Sequence, residues 1–163
     1  MASALTSHYF SKFDDSSAIS TPVILGLVLV YPALEYGASR DSHFRYSQIN
    51  GVLRLEQMLW FWSLYLWNEK SCPSYLACPI DTPREILRKF PKTFLVLAKN
   101  DILLDEGIAF HNNLVELNID SSLIQYNTTA HGFFGMPGSV AGMDSLKTVA
   151  KMITKWTVSS CSK

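Results

Sequence analysis

Charge bias is missing from this chain: 14 Lys and Arg residues balance 14 Asp and Glu residues, for a formal net charge of zero. A nucleic acid or an anionic membrane surface attracts a basic surplus, so neither is an expected partner. Cysteine is scarce. Cys72, Cys78 and Cys161 are odd in number and form no C-x-x-C, which argues against a disulfide scaffold or a zinc site. Such usage fits a reducing compartment and slightly favours the cytoplasm. Long apolar runs are lacking too. The longest, Pro22 to Leu34, is shorter than the ~20 residues that cross a bilayer. Met1 to Phe10 carry neither the basic nor the apolar region of a secretory leader. Membrane association stays open, because an anchor could lie upstream. No internal repeat or low-complexity tract interrupts the sequence.

What is present suits a packed core: 48% hydrophobic against 17% charged residues over 163 positions, the size of one domain. The expected unit is 1–158, with a frayed tail at 159–163. Ala2, Leu5 and Tyr9 share one face of a short opening helix. Val23 to Val30 is an unbroken apolar run ended by Pro32, as in a parallel strand buried on both faces. Phe94 to Ala98 predicts a second such strand and Ser122 to Tyr126 a weaker third.

Helical spacing appears between and after these strands. The stretch 51–67 holds Val52, Leu55, Leu59, Trp62 and Leu66 at helical intervals. From Met58 on it is apolar almost all round, so it should be covered on several sides. Thr82-Pro83-Arg84-Glu85 reads as a capping box with proline in the first helical position. Asp105 and Glu106 open a further helix at its positive dipole end, with Leu104, Ile108, His111 and Val115 as its inward stripe. The last helix, about Ala141 to Thr157, should turn Leu146, Val149, Ala150, Ile153 and Trp156 inward. Residues 34–50 and 68–82 read as loops, as does the glycosylation sequon Asn127-Thr128-Thr129.

Strands alternating with helices predict an α/β fold with a parallel sheet and right-handed crossovers. Ligands of such sheets sit beyond the carboxyl ends of the strands. Two of those ends carry a chemical pair: Asp101 follows the second strand and His131 the third. An acid and then a histidine, each after its own strand, is the second half of the hydrolase order serine, acid, histidine. The imidazole takes the serine proton and returns it to the leaving alcohol. The carboxylate fixes the tautomer and stabilises the imidazolium.

Four segments then carry a resemblance. NDILLDEG at Asn100 to Gly107, HGFF at His131 to Phe134, LVYPAL at Leu29 to Leu34 and the aromatic MLWFWSLYL resemble, in order and spacing, motifs of the hormone-sensitive-lipase group of α/β-hydrolases. That group includes bacterial esterases, arylacetamide deacetylases and plant carboxylesterases. The resemblance spans about residues 1–157. It implies a partial hydrolase domain of about three parallel strands with flanking helices and part of the lid, acting on small-molecule carboxylic esters without metal or organic cofactor. It places the catalytic acid on Asp101 and the catalytic histidine on His131. It makes Trp60 and Trp62 candidates for touching substrate, and Phe133 and Phe134 candidate pocket walls. His8, His43 and His111 read as structural histidines.

The chain departs from the pattern beside the acid, with Ile102 where proline is common and Lys99 where glycine is. The larger departure is that no G-x-S-x-G nucleophile elbow and no HGGG-type oxyanion segment occur. The expectation is a C-terminal portion beginning just after the elbow, with Met1 an internal methionine. Such a portion should be inactive alone and should self-associate through an exposed sheet edge. Alternatives are a non-catalytic, receptor-like binding protein, as the gibberellin receptors are within this fold, or a truncated gene product. Those receptors lack the histidine.

Overall fold

The computed structural model describes Thr6 and residues 24–48, 52–66 and 75–161. The opening helix expected around Ala2, Leu5 and Tyr9 lies outside these residues, apart from Thr6. Three strands, β1 (Leu27–Val30), β2 (Thr93–Asn100) and β3 (Ser121–Ala130), form one parallel sheet in the order β1-β2-β3. Helices α1 (Asp41–Arg45), α2 (Leu55–Tyr65) and α3 (Arg84–Leu87) come between β1 and β2. Helix α4 (Leu104–Glu116) links β2 to β3, and α5 (Val140–Cys161) follows β3. Among the described residues no helix is long and apolar enough to cross a membrane.

The apolar run at 23–30 is longer than the strand it makes. Leu27 pairs with Thr93, the first residue of β2, so residues 24–26 have no ladder partner there. β2 is central and buried from Thr93 to Ala98, and its alternation sorts the core into two faces. Leu95 and Leu97 face Phe110, Leu114 and the loop ends around Leu34, Ile102 and Leu103. Phe94, Val96 and Ala98 face Phe133, Val149 and Trp156.

Both covering helices meet the sheet along lines set by small residues. In α4 the buried positions are Leu104, Glu106, Gly107, Phe110 and Leu114, while Val115 is exposed, so the inward stripe differs from the expected one. A Cβ on Gly107 would lie 2.7 Å from Leu97 Cδ2, so the helix rests on β2 through this glycine. In α5, Val149 and Trp156 are buried with Ser145, but Leu146, Ala150 and Ile153 point outward. Trp156 occupies the space a side chain at Gly26 would need. The α5 helix runs on to Cys161, where a frayed tail was expected.

Three further expectations are corrected. Part of the stretch read as a loop folds into α1, whose start is closed by the Arg40 N–H donating to His43 Nδ1 at 3.2 Å. Thr82 does not cap α3: Pro83 is the cap residue, and Thr82 Oγ1 donates to Pro79 O at 2.8 Å across a 3₁₀ turn, Pro79–Asp81. The aromatic helix α2 buries only Met58 and Trp62, while Leu59, Trp60, Phe61, Leu64 and Tyr65 are exposed among the described residues.

Candidate active site

The sheet register brings the acid and the histidine together. Ala98 pairs with Tyr126 and Asn100 with Ala130, so β2 advances two residues while β3 advances four. The irregularity takes up two extra residues of β3, about 6.6 Å of extended chain. Thr129 Oγ1 donates to Tyr126 O at 2.9 Å inside it, which places the sequon in an irregular stretch of strand with Asn127 exposed. Asp101 and His131 thereby leave adjacent strands at one level of the carboxyl rim. His131 Nδ1 lies 2.9 Å from Asp101 Oδ2.

Asp101 is fully buried at its side chain, whereas His131 keeps 23% of its side chain exposed. Asp101 Oδ1 accepts the Leu103 N–H at 3.0 Å, which fixes the carboxylate in the turn before α4. An ionised carboxylate only accepts, so the proton of a neutral His131 sits on Nδ1 and Nε2 carries the lone pair. No described residue hydrogen-bonds Nε2. The turn 131–136 is held from below by α5. Gly135 N donates to Gly142 O at 3.1 Å, and a Cβ on Gly142 would come within 2.6 Å of Phe133 O.

Residues assigned no role at the sequence level frame the pair. Tyr31 has φ +32°, a conformation rare for a side-chain-bearing residue and opposed by the following Pro32. Such strain costs about 1–3 kcal/mol and persists only where the surroundings enforce it. Its ring lies 4.4 Å from the His131 ring, tilted by 54°, and 5.9 Å from Phe133. Burial, then the Asp101 charge, raises the Tyr31 phenol above its usual range. The Tyr-Pro pair ending an apolar run was the available signal.

Asp105 and Glu106, expected only to favour a helix start, tie three loops together. Asp105 Oδ2 accepts the Ser42 N–H at 2.8 Å, and Ser42 Oγ donates to Ile102 O at 2.6 Å. Glu106 Oε2 accepts the N–H groups of Leu34 and Glu35 at 2.8 and 2.7 Å. Its carboxyl is raised, chiefly by burial. Its Oε1 is 3.9 Å from Nε2 of the equally buried His43, and neither atom has a hydrogen-bond partner among the described residues. His111 Nδ1 pairs with Ser121 Oγ at 2.8 Å, away from the rim, and burial lowers its ring.

A cavity of about 510 Å³ opens beside His131, walled by Tyr31, Met58, Phe61, Trp62, Tyr65 and Leu103 among others. Trp62 is therefore at the cavity and Trp60 is not; Trp60 lies outward against Phe61 at 5.1 Å. Phe133 and Phe134 do not line it. Phe133 is buried among Tyr31, Tyr126 and α5, with Phe134 packed against that cluster. Aside from His131, the wall residues carry no charge.

The model of the alpha/beta hydrolase fold family matches residues 4–135. The chain is 30% identical over 131 residues to the vegetative-specific protein H5 of Dictyostelium discoideum, covering 73% of this chain and 39% of that protein. It is 34% identical over 77 residues to an esterase of Gibberella moniliformis, covering 47% and 24%. Carboxyl esterase 2 of the fungus Tuber melanosporum superposes with a TM-score of 0.82 at 23% identity, over 94% of this chain and 48% of that one, a likeness of fold. A fungal esterase from Rhizomucor miehei gives a TM-score of 0.76 at 28% identity, over 83% and 42%. The chain thus spans less than half the length of each of these proteins.

Proposed function

From the premise that this chain belongs to the alpha/beta hydrolase fold family, of hormone-sensitive-lipase type, we propose that it supplies the acid and the base of a serine carboxylic ester hydrolase. The observation that carries the reading is the 2.9 Å bond from His131 Nδ1 to the buried Asp101 carboxylate, with Nε2 left to act at the mouth of an apolar cavity. In this reading Nε2 takes the proton of a serine hydroxyl as its oxygen attacks the ester carbonyl. The imidazolium, paired with Asp101, then gives that proton to the departing alcohol. Water hydrolyses the acyl-enzyme by the same proton path in reverse. Uncharged walls around His131 favour an uncharged acyl or alcohol group.

The nucleophile is the piece not found in these 163 residues, since no G-x-S-x-G occurs. The serine and the oxyanion donors then come from chain outside them. Without those donors alone, about 3–4 kcal/mol of transition-state stabilisation is missing, so the 163 residues by themselves should show negligible esterase activity. The test compares this chain with a product extended upstream through an in-frame nucleophile elbow. The extended product should label with a fluorophosphonate and hydrolyse a p-nitrophenyl ester, and His131→Ala should cut kcat/KM by about 10³-fold or more. Enzymic turnover by the 163 residues alone, or activity that survives His131→Ala, overturns the proposal.

A further inference from the structure

The Asp101 bond holds the His131 ring at one nitrogen only, so the imidazole could still rock about that bond. We infer that Tyr31 is the positioning residue that prevents this, through its ring packed against the imidazole. Its own backbone is fixed by the Tyr31 N–H donating to Val96 O at 2.8 Å, the last rung joining β1 to β2. The positive φ at Tyr31 turns the chain off the strand there. The ring then stands 4.4 Å from the imidazole, within an aromatic series that continues through Phe133 to Tyr126. Tyr126 is itself anchored to α5 by its hydroxyl donating to Asp144 Oδ2 at 2.8 Å. The strained backbone therefore places one side chain where it packs against the histidine ring and, through Phe133, against its turn.

The kinetic consequence rests on the proposed role of His131 as base, but the positioning does not, and the experiment separates them. The 163-residue chain is prepared with ¹³C,¹⁵N-histidine, and the His131 signals are identified by their loss in His131→Ala. In the parent chain His131 should show one neutral tautomer, with ring protons shifted upfield by the Tyr31 ring. Tyr31→Leu should lose that upfield shift and populate both tautomers. Tyr31→Phe, which keeps the ring, should keep both features. An unchanged His131 spectrum in Tyr31→Leu overturns the inference. Should that variant fail to fold, an unchanged His131 spectrum in the milder Tyr31→Met overturns it instead, as does loss of the upfield shift in Tyr31→Phe. In the extended, active product, Tyr31→Leu should lower kcat about 10–100-fold with KM changed less than about twofold, the signature of a misplaced catalytic group. Activity that survives His131→Ala would remove the base assignment and leave the spectroscopic result standing.

Discussion

Replacing Glu106 isolates the tie between the loop after β1 and the helix that follows the candidate acid. Glu106 Oε2 accepts two backbone N–H groups, from Leu34, which is fully buried, and from Glu35, which is partly exposed. In Glu106→Ala the Leu34 N–H is orphaned, at about 1–3 kcal/mol, while the Glu35 N–H can reach water and costs less. Relief from burying a carboxylate offsets part of this, leaving an expected loss of about 1–3 kcal/mol. Glu106→Gln keeps an acceptor for both groups but sets an amide NH₂ opposite His43. Because His43 Nδ1 accepts the Arg40 N–H, its proton is on Nε2, so two donors would face each other across the 3.9 Å gap. The pH dependence carries a definite sign. Burial raises the Glu106 carboxyl above 4.5, so between the unfolded and folded values the native state binds more protons. The stabilising contribution is full below the unfolded value and is lost as pH rises through the folded one, with a slope of at most about 1.4 kcal/mol per pH unit. Urea unfolding at low micromolar concentration, repeated from about pH 5 to pH 8, gives the curve for parent and Glu106→Gln. Their difference should fall with rising pH. A flat or rising difference, or a Glu106→Ala loss below about 0.5 kcal/mol, refutes the reasoning.

Asp101→Asn in the extended product should lower kcat by about 10⁴-fold with the fold intact, because an amide NH₂ donating to Nδ1 would shift the imidazole proton to Nε2; steady-state kinetics and circular dichroism check the two halves. Gly142→Ala presses a methyl into the backbone at Phe133 O and Met136 N, 2.6 and 2.8 Å away. It should cost about 1–3 kcal/mol in urea unfolding and displace the His131 turn. β1 pairs only with β2 among the described residues, so its apolar edge should drive the isolated chain into oligomers. Light scattering after size exclusion at tens of micromolar tests this, and a clean monomer there counts against it.

Much of the fold could be read from residue order. The apolar runs at 23–30 and 94–98 read as strands of a buried parallel sheet, and each holds one, the first over Leu27–Val30 only; the order of acid and histidine after successive strands pointed to hydrolase chemistry. Where the reading failed, the cause was position along a helix or the availability of a partner. α4 and α5 are rotated from the faces their large residues suggested, because Gly107, Gly142 and Ser145 decide where a helix can approach. Helix α2 is apolar nearly all round, yet two of its residues are buried among those described and Trp62 turns to the cavity while Trp60 does not.

The sequence by itself determined that an acid and a histidine stand at the ends of successive strands, since side-chain type and local pattern are written in it. It could not determine that these groups touch. That depends on a two-residue slip between β2 and β3 and on the Asp101 carboxylate reaching across 30 positions to His131. Each of these is a contact between segments distant in the chain, and its free energy exists only once the sheet has brought them together.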